Sequence, residues 1–315
     1  MLAVVANAAD PNRLVLQDVA LPSPTPAEAL VRVDSFSLNL GEVRGAMAAA
    51  AGTRVGWDLA GTVVRAAANG SGPAVGTRVV GFVSTGSWAE LVAVPTDALA
   101  PLPWEVSFAQ ASTLPVAGLT ALHCVERATG LLARSVLVTG ASGGVGLFAC
   151  QLAHLAGARV VALIRQPAYS DILKAARAEE VVVSEDGADA GQFGPYRLIV
   201  ESVGGQVLAN VLGMLSADGV CVSCGASSGA EATINLSYLR RAGRTSLYGL
   251  MLFSELRRES AAIGLQRLVS LVAAQRLRPH VSVEAPWTEV GAIARQFLDR
   301  RVPGKAVLHV SESTK

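Results

Sequence analysis

The sequence predicts an α/β protein in two parts, a β-rich region at the start of the chain and a doubly wound parallel sheet at its centre. Three observations carry this. The first third holds short β-branched runs broken by Gly and Pro. From Ser135 onward, apolar strands alternate with helix-length segments. One of those strands runs straight into a glycine cluster, Gly140 to Gly146. A length of 315 residues also favours two domains over one.

Taken in order, Ala29-Leu-Val-Arg-Val33, Gly61-Thr-Val-Val-Arg65 and Arg78-Val-Val-Gly-Phe82 read as antiparallel strands of a small β-rich domain. Ser107 to Thr129 has helical spacing broken at Pro115 and Gly118, which suits helices crossing from one domain to the other. The segments Ser135–Thr139, Arg159–Ile164, Glu180–Val183, Arg197–Val200 and Gly219–Cys224 then read as buried strands of a parallel sheet with helices on both faces. After Phe253 come two amphipathic helical stretches, about 255–275 and 288–300, and a short strand, Ala306–Val310.

Composition narrows the function. Apolar residues make up 51% and charged residues 16%, against roughly a quarter charged in an average globular protein, which excludes a disordered chain. The 26 basic and 25 acidic residues nearly cancel, so neither nucleic acid nor an anionic membrane is expected as the main partner. A small molecule is expected instead. The start, Met1-Leu-Ala-Val-Val5, lacks the basic region of a signal peptide. The uncharged stretch Val136 to Ala153 is long enough to raise the membrane question, but its glycines mark it as strand, turn and buried helix. Four cysteines in so long a chain do not make a disulfide scaffold and fit a reducing cytoplasm.

The most informative segment is Val136-Leu-Val-Thr-Gly-Ala-Ser-Gly-Gly-Val-Gly146, a strand feeding a glycine turn and then a helix, Leu147 to Ala156. In this context Ser142, Gly143, Gly144 and Val145 are candidates to cradle a pyrophosphate. Glycine lets backbone N–H groups come close, and the helix dipole favours the charge. Gly146 would permit close helix–strand packing, and Ala141 occupies the first glycine position of the usual pattern. A turn that serves packing alone is the rival reading, and the four strands that follow favour a dinucleotide. The next strand ends Val160-Val-Ala-Leu-Ile-Arg165, without the carboxylate that would accept a ribose 2′-hydroxyl. Arg165, with Tyr169 nearby, offers a cation and a partner for a 2′-phosphate, so NADPH is expected over NADH. The alternative is that Arg165 is a solvated strand-end residue.

With these residues in hand, the chain resembles the medium-chain dehydrogenase/reductase superfamily, in its zinc-independent quinone oxidoreductase and enoyl reductase branch. The resemblance covers nearly the whole length. Besides the glycine turn, it rests on Ser37-Leu-Asn-Leu-Gly-Glu42, Gly56-Trp-Asp-Leu-Ala-Gly61, Val75-Gly-Thr-Arg-Val79, Gly86-Ser-Trp-Ala-Glu90 and Thr113-Leu-Pro-Val-Ala-Gly-Leu-Thr120. Glu201-Ser-Val-Gly-Gly205, Val222-Ser-Cys-Gly-Ala-Ser-Ser228 and Gly304-Lys-Ala-Val-Leu308 complete it. The resemblance implies a GroES-like, β-rich catalytic domain built from residues 1–118 and 254–315, a Rossmann domain over 119–253, and a cleft between them that holds the nicotinamide.

Zinc-dependent members of the superfamily place a Cys in the first motif and a His in the second. Here those positions are Asn39 and Trp57, and 94–111 has no cysteine for a structural zinc lobe, so no metal is expected. Cys221-x-x-Cys224 lies in an apolar strand and reads as structural. His123 and His154 read as packing residues. Without a metal to polarise a carbonyl, hydride transfer to a quinone or another α,β-unsaturated carbonyl is the expected chemistry. The resemblance sets Asn39 and Thr120 beside the nicotinamide as catalytic candidates, and Ser184 and Gly225 on the cofactor. Arg300 and Lys305 match positions that return to the cleft, where cofactor contact and a surface role both stay open. Leu250, Met251 and Phe253 are substrate-side candidates, with a core role open for some. No tyrosine precedes Tyr169, so a phenolic acid is missing from the first domain and solvent is the expected proton source. A reductase tailoring a polyketide-like intermediate and a non-catalytic NADPH-binding sensor are the alternatives. A homodimer is implied, through an edge strand around 245–248.

Overall fold

A computed structural model describes residues 1–10 and 12–310. In chain order the strands are β1 (Leu2–Ala6), β2 (Leu14–Asp18), β3 (Glu28–Ser37), β4 (Asp58–Arg65), β5 (Arg78–Phe82), β6 (Leu91–Pro95), β7 (Leu99–Pro101), β8 (Ser135–Thr139), β9 (Arg159–Ile164), β10 (Glu180–Val183), β11 (Tyr196–Glu201), β12 (Leu215–Ser223), β13 (Ser246–Gly249), β14 (Val281–Pro286) and β15 (Lys305–His309). The helices are α1 (Leu40–Ala48), α2 (Phe108–Ser112), α3 (Leu119–Glu126), α4 (Gly144–Leu155), α5 (Ser170–Ala175), α6 (Gly205–Val211), α7 (Ser237–Arg241), α8 (Leu252–Glu255), α9 (Ala261–Ala273) and α10 (Val290–Leu298). They divide between two compact units, Met1–Leu119 with Leu256–Lys315, and Thr120–Glu255.

The first unit is the GroES-like one. Its main sheet runs β14-β15-β3-β4-β5-β7, with β6 also on β3, and only the β14–β15 pair is parallel. In β3 the side chains of Ala29, Val31 and Val33 are buried while Arg32 faces outward, the two-residue period of a half-buried strand. Strand β15 pairs antiparallel with β3, Val307 opposite Ser37, so chain segments about 270 residues apart share one sheet. Phe36 and Trp88 stack at 5.2 Å inside a core that also takes in Leu38, Val43, Trp287, Ile293 and Leu308.

The stretch between α2 and α3 departs from expectation. Pro115 and Gly118 do not break the helical path; the backbone continues through them as a π turn, Leu114–Gly118. Proline brings no N–H of its own, and the Val116 N–H donates instead to Asp58 Oδ1 at 3.0 Å. At Gly118 a Cβ would sit 3.0 Å from Leu268 Cδ1, so the small residue admits α9 closely.

The second unit is a Rossmann-type sheet of six parallel strands in the order β10-β9-β8-β11-β12-β13. Strands β8, β9 and β11 bury successive residues on both faces, as their unbroken apolar runs require. Strand order reverses between β8 and β11, and in such sheets the crevice outside the carboxyl ends of the strands at that point is the ligand position. Helix α4 begins at Gly144, three residues ahead of the sequence reading, because Gly143 itself serves as the N-cap. Among the described residues no helix is long and apolar enough to cross a membrane.

The tightest packing constraint in the first unit lies at the β3–β4 crossing. A Cβ at Gly61 would come within 2.0 Å of the Arg32 carbonyl oxygen. Gly61→Ala should therefore lower unfolding stability by roughly 1–3 kcal/mol or more in urea titrations. An unchanged midpoint would show that the crossing yields freely.

Candidate functional site

In the first unit, a group of buried polar side chains gathers where β3 ends and α1 begins. Asn39 is the N-cap of α1, and its backbone N–H donates to Glu42 Oε2 at 3.1 Å, the N3 partner of a capping box. Its side-chain amide donates twice, to Glu42 Oε2 at 3.2 Å and to Asp58 Oδ2 at 2.8 Å. Its carbonyl oxygen accepts from Lys305 Nζ at 2.6 Å. Lys305 spends its other two hydrogens on Leu38 O, at 2.8 Å, and Asp58 Oδ2, at 3.4 Å. Ser37 Oγ adds a bond to Asp58 at 2.7 Å, and the Trp57 N–H donates to Glu42 Oε1.

Burial shapes the charges here. It pushes the Glu42 carboxyl well above the usual carboxylate range, with Asp58 adding to the rise and Lys305 opposing it. It pushes the Lys305 ammonium down, against the pull of Asp58 and Glu42. Lys305 is 2% exposed and Asp58 0%, so their 3.4 Å ion pair is a buried one. Sequence reasoning brought Asn39 and Lys305 forward, and the structure brings the two together. It left Glu42, Asp58 and Ser37 unassigned. Two carboxylates in otherwise apolar motifs were the available signal, since burying them calls for a cation. Arg300 is half-buried just beyond α10, with φ 58°.

In the second unit, the candidates fall at the carboxyl ends of the strands. Ser142 to Val145 follow β8, Arg165 and Tyr169 follow β9, Ser184 follows β10, Gly225 follows β12, and Leu250, Met251 and Phe253 follow β13. Beneath the reversal point, the fully buried Glu201 ends β11. Its Oε1 accepts from the N–H groups of Val203 at 2.7 Å and Gly204 at 2.9 Å and from Thr139 Oγ1 at 3.1 Å, while Oε2 is unpartnered among the described residues. Ser202 returns two bonds to Thr139, at 3.0 and 3.1 Å, and so fastens the ends of β8 and β11 together. Burial pushes the Glu201 carboxyl up. Sequence reasoning had quoted Glu201 within a motif and given it no task.

The glycines of the turn divide by purpose. A Cβ on Gly146 would meet Ala141 Cα at 2.6 Å, and one on Gly140, where φ is 57°, would meet Ser202 Oγ at 2.7 Å; packing demands both glycines. Gly143 differs. Its φ is −82°, it is exposed, and a Cβ would find only ordinary contact, 3.4 Å from Gly140 O. Nothing in the fold requires glycine there, and a bare backbone at the first turn of α4 leaves room for a ligand to come close. A dinucleotide pyrophosphate fits that cradle.

The remaining candidates are placed as follows. Arg165 is exposed, with no ion pair among the described residues, and Tyr169 is half-buried. Ser184 is buried, 3.4 Å from Asp186 Oδ1. Thr120 and Leu250 are buried, Phe253 is half-buried and Met251 is 62% exposed. Among the described residues no three His, Cys, Asp or Glu side chains stand together as a metal site.

These features can be set beside known proteins. The family model described as "Alcohol dehydrogenase GroES-like domain" matches residues 25–104, and that described as "Zinc-binding dehydrogenase" matches 144–269. A Bacillus subtilis (strain 168) protein named as a quinone oxidoreductase, YhfP, is 31% identical over 270 residues, 81% of this chain and 80% of that one. The chain belongs to the medium-chain dehydrogenase/reductase superfamily, in its quinone oxidoreductase branch. It is an oxidoreductase. The quinone oxidoreductase structure from Coxiella burnetii superposes with a TM-score of 0.85 at 25% identity, covering 99% of each chain. The Escherichia coli quinone oxidoreductase, solved with NADPH, shares the fold with a TM-score of 0.88 at 23% identity, covering 98% of this chain and 100% of that one.

Two stability tests follow from the buried acids. Lys305→Met leaves Asp58 without its cation and should cost about 3–5 kcal/mol in urea unfolding; a loss below 1 kcal/mol would mean the pair is not held as described. Glu201 has a folded pKa above its unfolded one. Its contribution is therefore complete below the unfolded value, about 4.3, and declines as pH rises through the folded value. Between pH 4 and 7 the wild-type chain should lose unfolding free energy relative to Glu201→Gln. Parallel profiles for the two proteins would contradict this.

Proposed function

We propose that this oxidoreductase uses NADPH, without zinc, to reduce a quinone or another α,β-unsaturated carbonyl. The observation that carries the reading is the cradle at Gly143, set at the reversal point of a parallel sheet whose neighbouring strand ends in an exposed arginine. The first-turn N–H groups of α4 face a pyrophosphate there, and Gly144 and Val145 supply that turn. Arg165, with Tyr169 and Ser184 at the next two strand ends, offers charge and hydrogen bonds to a 2′-phosphate and its ribose. When bound, the nicotinamide supplies a hydride from its C4.

The donor set speaks against zinc. Asn39 and Trp57 stand where zinc-dependent relatives carry Cys and His, and Asn39 is tied into bonds on both sides of its amide. We assign Asn39 to shaping the nicotinamide side of the site, as a positioning residue held by Glu42, Asp58 and Lys305. Thr120 belongs to the same side, and Leu250, Met251 and Phe253 to the acceptor side. Lys305, with all three hydrogens committed inside its own unit, acts on the cofactor only through Asn39. A homodimer in the cytoplasm completes the reading, supported by β13, which pairs with β12 alone and leaves its other edge open among the described residues.

A tailoring enoyl reductase is the second reading. Residues of this chain are 33% identical over 207 positions to the Streptomyces orinoci polyketide synthase protein NorB, 64% of this chain and 9% of that one.

Following nucleotide oxidation at 340 nm with naphthoquinone, benzoquinone, a linear enone and an aldehyde tests the reading. Preference for NADPH, turnover of quinone or enone, and indifference to a chelator are expected. NADPH binding without any turnover would replace it with the tailoring enzyme or a sensor. Gly143→Ala should keep its folding stability within about 1 kcal/mol, as Gly and Ala differ modestly at an N-cap, yet bind NADPH at least about tenfold more weakly. Arg165→Ala should erase most of the preference for NADPH over NADH.

A further inference from the structure

The connection from β13 to α8 carries Leu250 and Met251, and Phe253 stands in the first turn of α8. Backbone bonds hold both of its ends. The Leu250 N–H donates to Ser223 O at 2.8 Å, one step beyond the last β12–β13 pair. The Met251 carbonyl accepts from the N–H groups of Ser254 at 2.8 Å and Glu255 at 3.1 Å. Met251 itself is exposed. A short connection with an exposed apolar side chain opens locally unless side chains hold it.

Three side chains close the segment. Tyr248, on β13, donates its phenol hydrogen to Glu255 Oε1 at 2.5 Å. Arg127, directly after α3, donates from Nη2 to Glu255 Oε2 at 2.9 Å. The same guanidinium lies over the Tyr248 ring, its Cζ 4.7 Å from the ring centre. Each of the three groups therefore touches the other two. Glu255 is buried, and Arg127 supplies the cation that a buried carboxylate calls for. The planar guanidinium can stack on the ring and still direct an N–H at the carboxylate, which a lysine ammonium cannot do.

Position gives the cluster its effect. Tyr248 stands just before the segment and Glu255 ends it, so their bond ties the segment into a ring. Arg127 fastens that ring to α3, whose first turn holds Thr120. All of these residues lie in the Thr120–Glu255 unit. The phenol hydrogen is committed to Glu255, which places Tyr248 in the clasp and not in a proton transfer.

We infer that Arg127, Tyr248 and Glu255 are positioning residues for the electron acceptor: their clasp fixes Leu250, Met251 and Phe253 relative to Thr120 and so sets which acceptors the site takes. The assignment to the acceptor rests on the proposed function; the clasp does not. The dinucleotide candidates Gly143 to Val145 and Arg165 belong to the ends of β8 and β9, so the clasp bears on the acceptor and leaves NADPH binding alone. A wall held in one shape discriminates between acceptors of different width, and a loosened wall does so less sharply.

Two substitutions test this. Tyr248→Phe keeps the ring under the guanidinium and removes the bond to Glu255, while Glu255→Gln keeps the shape and removes the charge. At saturating NADPH, both should raise KM for naphthoquinone and benzoquinone about three- to tenfold, with kcat within about twofold of wild type. The ratio of kcat/KM between the two quinones should change at least about twofold. NADPH affinity should stay within about twofold. Amide exchange at Ser254 and Glu255 should quicken at least about tenfold in the folded variants. Unmoved KM values would overturn the assignment, as would NADPH affinity falling in step with them, the pattern of a unit loosened throughout. If Glu255→Gln does not fold, Tyr248→Phe decides alone. A wild-type chain that binds NADPH and turns over neither quinone sinks the acceptor assignment. The exchange rates then judge the clasp by themselves, equal rates in wild type and Tyr248→Phe refuting it.

Discussion

The Asp58 carboxylate is shut away from solvent, and an ion so placed costs several kcal/mol unless partners surround it. Its partners come from three stretches of chain: Ser37 and Asn39 from the turn between β3 and α1, Lys305 from the start of β15, and the Val116 N–H from the π turn. Only Ser37 and Asn39 are neighbours in sequence; Val116 and Lys305 come from far along the chain. The carboxylate thus fixes the corner at which β3 and β15 of the GroES-like unit meet. It also explains why a π turn, a rare backbone geometry, persists at Leu114–Gly118: the Val116 amide finds a carboxylate acceptor.

The second unit meets a similar demand without a cation. Glu201 ends β11 beneath the strand-order reversal, and its partners are two backbone amides and a hydroxyl. Burial raises its carboxyl against the opposing pull of these donors, and its second oxygen has no partner among the described residues. The arrangement still shapes what lies above it. Glu201 closes the Val203–Gly204 turn, Ser202 grips Thr139, and the loops that face the glycine turn start from fixed positions.

Much of this was legible in the chain, for a physical reason. Parallel strands buried on both faces need unbroken apolar runs, so Ser135–Thr139 and Arg159–Ile164 stand out with the bounds the structure gives them, as does the half-exposed edge strand Glu180–Val183. The glycine turn was readable because strand, turn and helix are contiguous. What stayed hidden was long-range. Pro115 and Gly118 looked like a break because the acceptor that stabilises the turn, Asp58, lies 58 residues earlier than Val116. Lys305 looked as suited to the surface as to a site, since lysine is seldom buried, and only the pairing of β15 with β3 puts it under Asn39.

The saturation of the polar corner bears on the chemistry the protein can favour. Both amide hydrogens of Asn39 and all three hydrogens of Lys305 are committed within one unit. Breaking any of them to protonate a substrate would leave a buried acceptor unpaired, at a cost of about 1–3 kcal/mol. A reaction that needs a strong acid at the moment of hydride arrival would draw on that cost at every turnover. An acceptor that spreads the incoming charge over its own conjugated framework, and takes its protons from water afterwards, asks nothing of the corner but its shape.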